Sequence, residues 1–233
     1  MSGLEVLWNK YEEPVQRYFQ HAIKSTAILA SSVKLKQKAR MKLNPNKPHI
    51  VLDCNQVLEP AKGFCWSGRF KIWSLPAVVQ DQLKNNQGSI CVRVLGVPII
   101  YRSDSNITRS SRGRLAAEVI WCPSALLLNP STIFETLDEN TIQITQIIDD
   151  EENSLTLELS EDGSVRCVKM LRFGNEGRQD WGLTPYGFSV EEEKTFGNYT
   201  IPTKFRGGWW YGTPQFVHEN ASEYEVTGAE YHF

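Results

Sequence analysis

The hydrophobic pattern of the chain changes once, from helical spacing to strict alternation. Near the N-terminus, apolar residues recur every three or four positions, which predicts a helical segment over residues 4–25, broken before Pro14. From residue 32 the period becomes two, with apolar positions such as Val33 and Leu35 alternating with lysines. This alternation predicts strands over much of 32–233.

Short alternating stretches separated by turn residues continue to the C-terminus and favour an antiparallel meander. The strong internal helix signal is RSSRGRLAAEVIW, residues 109–121, which ends before Pro123. Strands do not alternate regularly with helices, so a doubly wound parallel sheet is not expected. We therefore predict a mainly β (α+β) protein in which a strongly curved antiparallel sheet packs against an N-terminal helix and a central helix. The chain, 1–233, is expected to form one domain.

Composition adds several exclusions. The 233 residues carry a formal net charge of −2, so no global field attracts nucleic acid. No apolar run is long enough for a membrane span, and the first residues do not resemble a secretory signal. The five cysteines are odd in number and contain no CxxC pair, which suggests free thiols and a cytoplasmic location. Glycine-rich nucleotide loops and metal-ligand spacings are absent from the sequence, so we expect no cofactor and no metal.

The central helix carries the most unusual candidate chemistry. Arg114, Glu118 and Trp121 are three or four residues apart and share one helical face. Their simplest interpretation is a salt bridge on a helix surface. The alternative places Glu118 against Trp121 in the concave face of the sheet, where it would act as a catalytic general acid. Asp104 and Asp53 are further carboxylates that could face such a cavity.

Arg172 ends an apolar strand, as a lone cation in the sequence MLRFG. An arginine in this setting either pairs with a buried carboxylate or holds the carboxylate of a ligand. Pairing with Glu118 would satisfy the first alternative without any ligand. Both alternatives remain open at this point.

Aromatic residues cluster in GGWWYGTPQF, residues 207–216. Alternation along a strand would send Trp209 and Tyr211 to one face and Trp210 to the other. Aromatic side chains on a concave face would line an apolar pocket in which flat ligands stack. Core packing explains the same cluster equally well.

Five segments occur in an order that resembles a bacterial family of unknown function, DUF6544. They are PVQRYFQHAI (14–23), GFCWSGRF (63–70), GRLAAEVIWCPSALL (113–127), RFG (172–174) followed by WG (181–182), and YTIPTKFRGGWWYGT (199–213). The resemblance covers about residues 13–233 and implies a LolA/LppX-like fold, a half-barrel of antiparallel strands around helices and an apolar cavity. The chain also resembles a scytonemin-pathway-type cyclase, which joins indole and phenol units derived from aromatic keto acids.

These resemblances lead to two functional hypotheses. The first is a cofactor-independent enzyme of secondary metabolism that cyclises a hydrophobic aromatic substrate, with or without decarboxylation. Its catalytic residues would be Glu118, Arg114 and Arg172, and its substrate-binding residues would be Trp66, Trp121, Trp181, Trp209 and Tyr211. The second hypothesis is a non-catalytic protein that binds a lipid or another hydrophobic small molecule in the same cavity.

Overall fold

Thirteen strands form one antiparallel sheet in the part of the chain that the structure describes. The structure is a computed structural model, and it describes residues 4–42, 47–175 and 180–233, without the side chain of Glu5. The strands are β1 (Ser32–Met41), β2 (Ile50–Glu59), β3 (Gly63–Ile72), β4 (Leu75–Lys84), β5 (Gln87–Val94), β6 (Val97–Arg102), β7 (Ile133–Asp138), β8 (Thr141–Ile148), β9 (Glu151–Leu159), β10 (Val165–Gly174), β11 (Gly182–Phe196), β12 (Tyr199–Trp209) and β13 (Ser222–His232).

The strand order is β6-β5-β4-β3-β2-β1-β13-β12-β11-β10-β9-β8-β7. The sheet is therefore open, with β6 and β7 at its edges. Strands that follow one another in the chain are neighbours in the sheet, except β6 and β7, which occupy its two edges. β13 pairs with both β12 and β1 and so joins the two halves of the sheet. The predicted antiparallel meander is confirmed.

Strong curvature brings distant parts of this sheet together. Asn86, in the β4–β5 turn, donates a hydrogen bond of 3.3 Å to Asp149 in the β8–β9 turn, although seven strands lie between β4 and β9 in the sheet order. The concave face created in this way encloses the central helix. The alternation of β1 explains which residues line that face, because Val33, Leu35 and Ala39 are buried while the intervening lysines are exposed.

Four α-helices accompany the sheet in the described residues: α1 (Glu5–Trp8), α2 (Glu13–Ala22), α3 (Ser105–Glu118) and α4 (Pro123–Leu128). The predicted break in the N-terminal helix lies between α1 and α2. The predicted bounds of the central helix, 109–121, are wrong at both ends. The side chain of Asp104 accepts a hydrogen bond from the Ile107 amide and caps the helix at an earlier residue.

At its C-terminal end α3 becomes a 3-10 turn over Val119–Trp121, and Pro123 then begins α4 instead of ending the helical region. Close approach of α3 to the sheet depends on Gly88 in β5. A β-carbon at this position would lie 2.7 Å from the Thr108 α-carbon. No described helix is both long enough and apolar enough to cross a membrane.

Candidate functional site

A row of inward-facing side chains crosses three neighbouring strands on the concave face. Gln56 of β2 lies directly opposite Trp66 of β3, which in turn lies opposite Asp81 of β4. All three occupy inward positions of their strands because the inward parity of each strand is fixed by its buried apolar residues. Gln37 of β1 completes the row through side-chain hydrogen bonds, accepting from Trp66 (3.1 Å) and donating to Gln56 (3.3 Å).

Arg114 of α3 lies above this row and joins two carboxylates. Its Nε donates to Glu118 Oε1 and its Nη1 donates to Asp81 Oδ2, both at 2.7 Å. The second oxygen of Glu118 accepts a hydrogen bond of 2.5 Å from Gln56 Nε2. Both oxygens of Glu118 are thus acceptors in a network that ties α3 to the sheet.

The environment of Arg114 holds it firmly in its charged form. Burial lowers the pKa of its guanidinium, but the negative charges of Glu118 and Asp81 outweigh burial and raise the pKa above its usual range. The guanidinium also stacks 4.7 Å from the ring centroid of Phe64 and 5.2 Å from that of Trp66. Arg114 is therefore a permanent, well-fixed cation.

Arg172 reaches the same region from the other side of the curved sheet. Its guanidinium carbon lies 4.9 Å from the ring centroid of Trp209 and 5.0 Å from that of Tyr186. Its Nε donates to the Ser110 carbonyl at 3.2 Å. In the described ranges, no carboxylate forms an ion pair with Arg172. The predicted alternative in which Arg172 pairs with Glu118 is wrong, because Glu118 pairs with Arg114.

These two groups share one cavity of about 200 Å³. Its lining comes from α3, from the 3-10 turn that follows it and from seven strands of the sheet. The cavity is lined by Gln37, Met41, Gln56, Asp81, Arg114, Ala117, Glu118, Trp121, Arg172, Tyr186, Phe188, Phe205, Gly207, Gly208, Trp209, Ser222 and Tyr224. One side of the cavity therefore carries the Arg114 network, the other side carries Arg172, and aromatic rings lie between them.

Local contacts fix the aromatic rings. Trp121 donates from Nε1 to the Pro202 carbonyl at 3.1 Å, and its ring lies 5.4 Å from that of Phe205. The Trp209 indole covers Gly174, where a β-carbon would lie only 2.2 Å from the ring atom Cη2. Gly113 of α3 similarly leaves space for the Arg172 stem, at 3.0 Å from Cγ.

The structure brings most of the predicted site residues together. Glu118, Arg114, Arg172, Trp121 and Trp209 line the cavity. Trp66 lies in the wall behind Arg114 and is buried.

Trp181 and Tyr211 lie elsewhere. Trp181 stacks on Phe173 at 5.6 Å, away from the cavity lining. The predicted shared face of Trp209 and Tyr211 is wrong, because β12 ends at Trp209 and the left-handed conformation of Trp210 (φ 67°) breaks the alternation. Tyr211 packs against Cys167, and burial raises the pKa of its hydroxyl to about 12.

The two other candidate carboxylates do not face the cavity. Asp53 is on the exposed face of β2, opposite Arg69, and Asp104 caps α3. Sequence reasoning missed four further polar residues that do line it, Gln37, Gln56, Asp81 and Ser222, and the first three belong to the strands beneath Arg114. The signal of these three was present, since each is a polar residue at an inward position of an alternating strand.

No cluster of three or more metal-ligating side chains occurs among residues 4–42, 47–175 and 180–233. The polar side chains that line the cavity carry amides, carboxylates, guanidiniums and hydroxyls. The arrangement is suited to binding a molecule that is partly apolar and partly charged.

The chain belongs to a family of unknown function, DUF6920, whose sequence model matches residues 12–231. Among solved structures it is similar to a LolA superfamily protein from Nitrosomonas europaea, with 10% identity, 92% of each chain covered and a TM-score of 0.50. A DUF1329 family protein from Desulfovibrio piger gives 9% identity, 94% of each chain covered and a TM-score of 0.42. No curated protein matches the sequence.

The first of these structures establishes a LolA-like fold, as the family resemblance implied. Membership of a family of unknown function is also established. The resemblances to DUF6544 and to a scytonemin-pathway-type cyclase stay predictions.

Proposed function

We propose that this protein binds a small hydrophobic molecule that carries one acidic group. The observation that carries the proposal is Arg172, a guanidinium at the cavity that stacks on Tyr186 and Trp209 and forms no ion pair with a described carboxylate. The LolA-like fold supports it, because the concave face of a curved sheet around a helix is a natural place for an apolar ligand.

Arg172 differs from Arg114 in what remains free for a ligand. Arg114 already donates to two carboxylates, whereas the hydrogen-bond partners of Arg172 among the described residues are the carbonyl and hydroxyl of Ser110. A guanidinium offers five N–H donors in a planar fork that matches a carboxylate. A ligand carboxylate would therefore complete the hydrogen bonding of Arg172.

The size of the cavity limits the buried part of the ligand. An engineered cavity of about 150 Å³ admits benzene, and this one measures about 200 Å³. A single ring or a short alkyl chain fits, between Trp121 and Trp209. We infer an aryl or short-chain carboxylate, or a longer molecule whose remainder extends through the mouth.

Paired ligands that differ only in charge test this proposal. Indole-3-acetate and octanoate would be compared with the corresponding amides by calorimetric titration of the full chain. We expect Arg172→Gln to weaken binding of the acids by about tenfold or more, in line with the loss of a charge-assisted hydrogen bond, and to leave the amides nearly unchanged. Ala117→Trp should block both, because Ala117 lines the cavity.

Arg109→Gln is the matched control for charge, since Arg109 of α3 is half-exposed, pairs with Glu151 and does not line the cavity. Equal affinity for acids and amides in the unaltered protein would refute the role of Arg172. Acid binding that survives Ala117→Trp would place the ligand elsewhere.

A cyclase reaction on an aromatic keto-acid derivative is the second candidate, favoured by the position of Glu118 at the cavity. Proton transfer would require Glu118 to exchange one of its two hydrogen bonds, from Arg114 or Gln56, for a bond to substrate. Mass spectrometry after incubation with condensed aromatic keto acids tests it. New masses that disappear in Glu118→Gln would support catalysis, and ligand recovered unchanged would support binding alone. A cytoplasmic location stays a prediction.

A further inference from the structure

Two hairpin turns at one end of the sheet present large apolar residues to solvent. The β3–β4 turn consists of Trp73 and Ser74, and the β5–β6 turn consists of Leu95 and Gly96. Trp73 is 93% exposed and Leu95 is 62% exposed. The two turns are adjacent, because the Leu95 amide donates a hydrogen bond of 3.0 Å to the Pro76 carbonyl at the start of β4.

Both apolar residues occupy an unfavourable backbone conformation. Trp73 has a φ of 48° and Leu95 a φ of 51°, each at the first position of a two-residue turn in which both φ angles are positive. Such turns favour asparagine, aspartate or glycine, and a bulky residue there is strained.

Other turns of the same sheet use the favoured residues. The β4–β5 turn, at the opposite end of the sheet, is Asn85–Asn86, and the β8–β9 turn is Asp149–Asp150, all with positive φ. An exposed tryptophan and an exposed leucine therefore replace the residues that the turn geometry and the solvent both favour. Strain maintained at an exposed position indicates a function of the side chain itself.

The charge around these turns is positive, although the whole chain is slightly acidic. Of the five basic residues in 63–102, Arg69, Lys71 and Arg93 lie toward this end of the sheet, whereas Lys84 and Arg102 lie at the opposite end. The one acidic residue of this segment, Asp81, pairs with Arg114 on the concave face. One cross-strand row of the convex face runs through Lys38, Asp53, Arg69, Val78 and Arg93, so that three cations accompany one carboxylate.

The edge of the sheet beside these turns is unsuited to pairing with another strand. β6 is exposed along its whole length and contains Pro98, which has no amide hydrogen to donate. A register irregularity between Val92 and Arg93 leaves Ile99 without a direct partner in β5. Both features are typical of edges that avoid strand addition. The exposed apolar residues of this edge, including Val97 and Ile99, therefore add to the apolar surface beside the two turns without offering a strand for pairing.

We propose that the β3–β4 and β5–β6 turns form a docking surface for an anionic lipid bilayer, with Trp73 and Leu95 inserted at the interface. Tryptophan at the tip of a protrusion is suited to the headgroup region, because its ring is apolar while its N–H finds a polar partner. Arg69, Lys71 and Arg93 behind the tips supply the cations that anionic headgroups attract. This surface is independent of the cavity and of the ligand proposed for it.

Vesicle sedimentation tests the proposal with the full chain. Vesicles of phosphatidylcholine with about a third phosphatidylglycerol would be compared with pure phosphatidylcholine, at low and high salt. We expect binding to the anionic vesicles and weaker binding at high salt. The double variant Trp73→Asn with Leu95→Asn should bind at least about tenfold more weakly. Because asparagine is favoured in these turns, this variant is expected to fold as well as the unaltered protein.

Ile28→Asn is the matched control, because Ile28 is 68% exposed and precedes β1 at the opposite end of the sheet. It should leave vesicle binding unchanged. Arg69→Gln with Arg93→Gln should remove most of the preference for anionic vesicles. Absence of vesicle binding by the unaltered protein, or full binding by the asparagine double variant, would overturn the proposal. A dimer in solution that the double variant dissociates, without vesicle binding, would instead assign this surface to a second copy of the chain.

Discussion

Arg114 is expected to be essential for the stability of the site, and Arg114→Leu tests this. The substitution keeps the volume of the stem but removes the cation between Glu118 and Asp81. The three side chains are only 12–16% exposed, so water cannot fully replace the lost interactions. Gln56 would remain as the one described donor to Glu118, and Asp81 would lose its ion pair.

The size of the effect follows from the contacts. Removing one partner of a buried ion pair costs about 3–5 kcal/mol. Loss of the stacking on Phe64 and Trp66 adds about 1 kcal/mol. We expect the free energy of unfolding to fall by about 4 kcal/mol or more.

Urea denaturation followed by circular dichroism measures this difference. Arg109→Leu, in the same helix, is the control, because its ion pair with Glu151 is half-exposed and should contribute less than about 1 kcal/mol. Adding Glu118→Leu and Asp81→Leu to Arg114→Leu should recover most of the loss, since no buried charge then remains unpaired. A loss below about 1 kcal/mol for Arg114→Leu alone would refute the reasoning.

Three further outcomes follow from individual contacts. The hydrogen bond from His21 to Glu193 raises the pKa of His21, against the opposing effect of burial, so the contribution of this pair to stability should be complete below about pH 6.5 and be lost as the pH rises through the folded-state pKa of His21. Denaturation at several pH values, with His21→Gln as the reference, would measure this loss, and the same pH dependence of stability in both proteins would contradict it. Gly174→Ala should displace the Trp209 ring, because the new β-carbon would lie 2.2 Å from its Cη2 atom, and should weaken binding of the two ligand acids in the calorimetric assay. Unchanged affinity would show that this ring does not position the ligand. Thr132→Val should raise the free energy of unfolding by about 1 kcal/mol, since the buried Thr132 hydroxyl has no described hydrogen-bond partner, and a destabilised variant in the same denaturation assay would indicate a partner for that hydroxyl.

The alternating pattern was sufficient to predict the sheet, but not the ends of its elements. Strand parity along β1 depends only on local periodicity, and it was read correctly from Val33 to Ala39. The start of α3 depends on a cap, and the sequence around Asp104 offers several residues that could cap a helix. The error at Tyr211 has a similar cause, because a single left-handed residue, Trp210, ends the alternation without a glycine or proline at that position.

The site was predictable to the extent that it lies on one helix. Arg114 and Glu118 are four residues apart, so helical geometry alone places them within reach of each other. The contributions of Gln56 and Asp81 depend on the registers of β2 with β3 and of β3 with β4, which the alternation within a single strand does not specify. Which of the two arginines, Arg114 or Arg172, pairs with Glu118 could not be predicted either, because the position of Arg172 depends on how far the sheet curves.

The cavity and the docking surface lie toward the same end of the sheet, although they share no residue. Met41, at the end of β1, and Trp209, at the end of β12, line the cavity, and the β3–β4 turn with Trp73 lies at the end of the sheet where β1 also finishes. If both proposals hold, a ligand dissolved in a bilayer could enter the cavity while the protein is docked. The asparagine variant at Trp73 and Leu95 should then take up ligand more slowly from vesicles but at the same rate from solution. Equal slowing in both assays would mean that the turns shape the cavity instead of docking the protein.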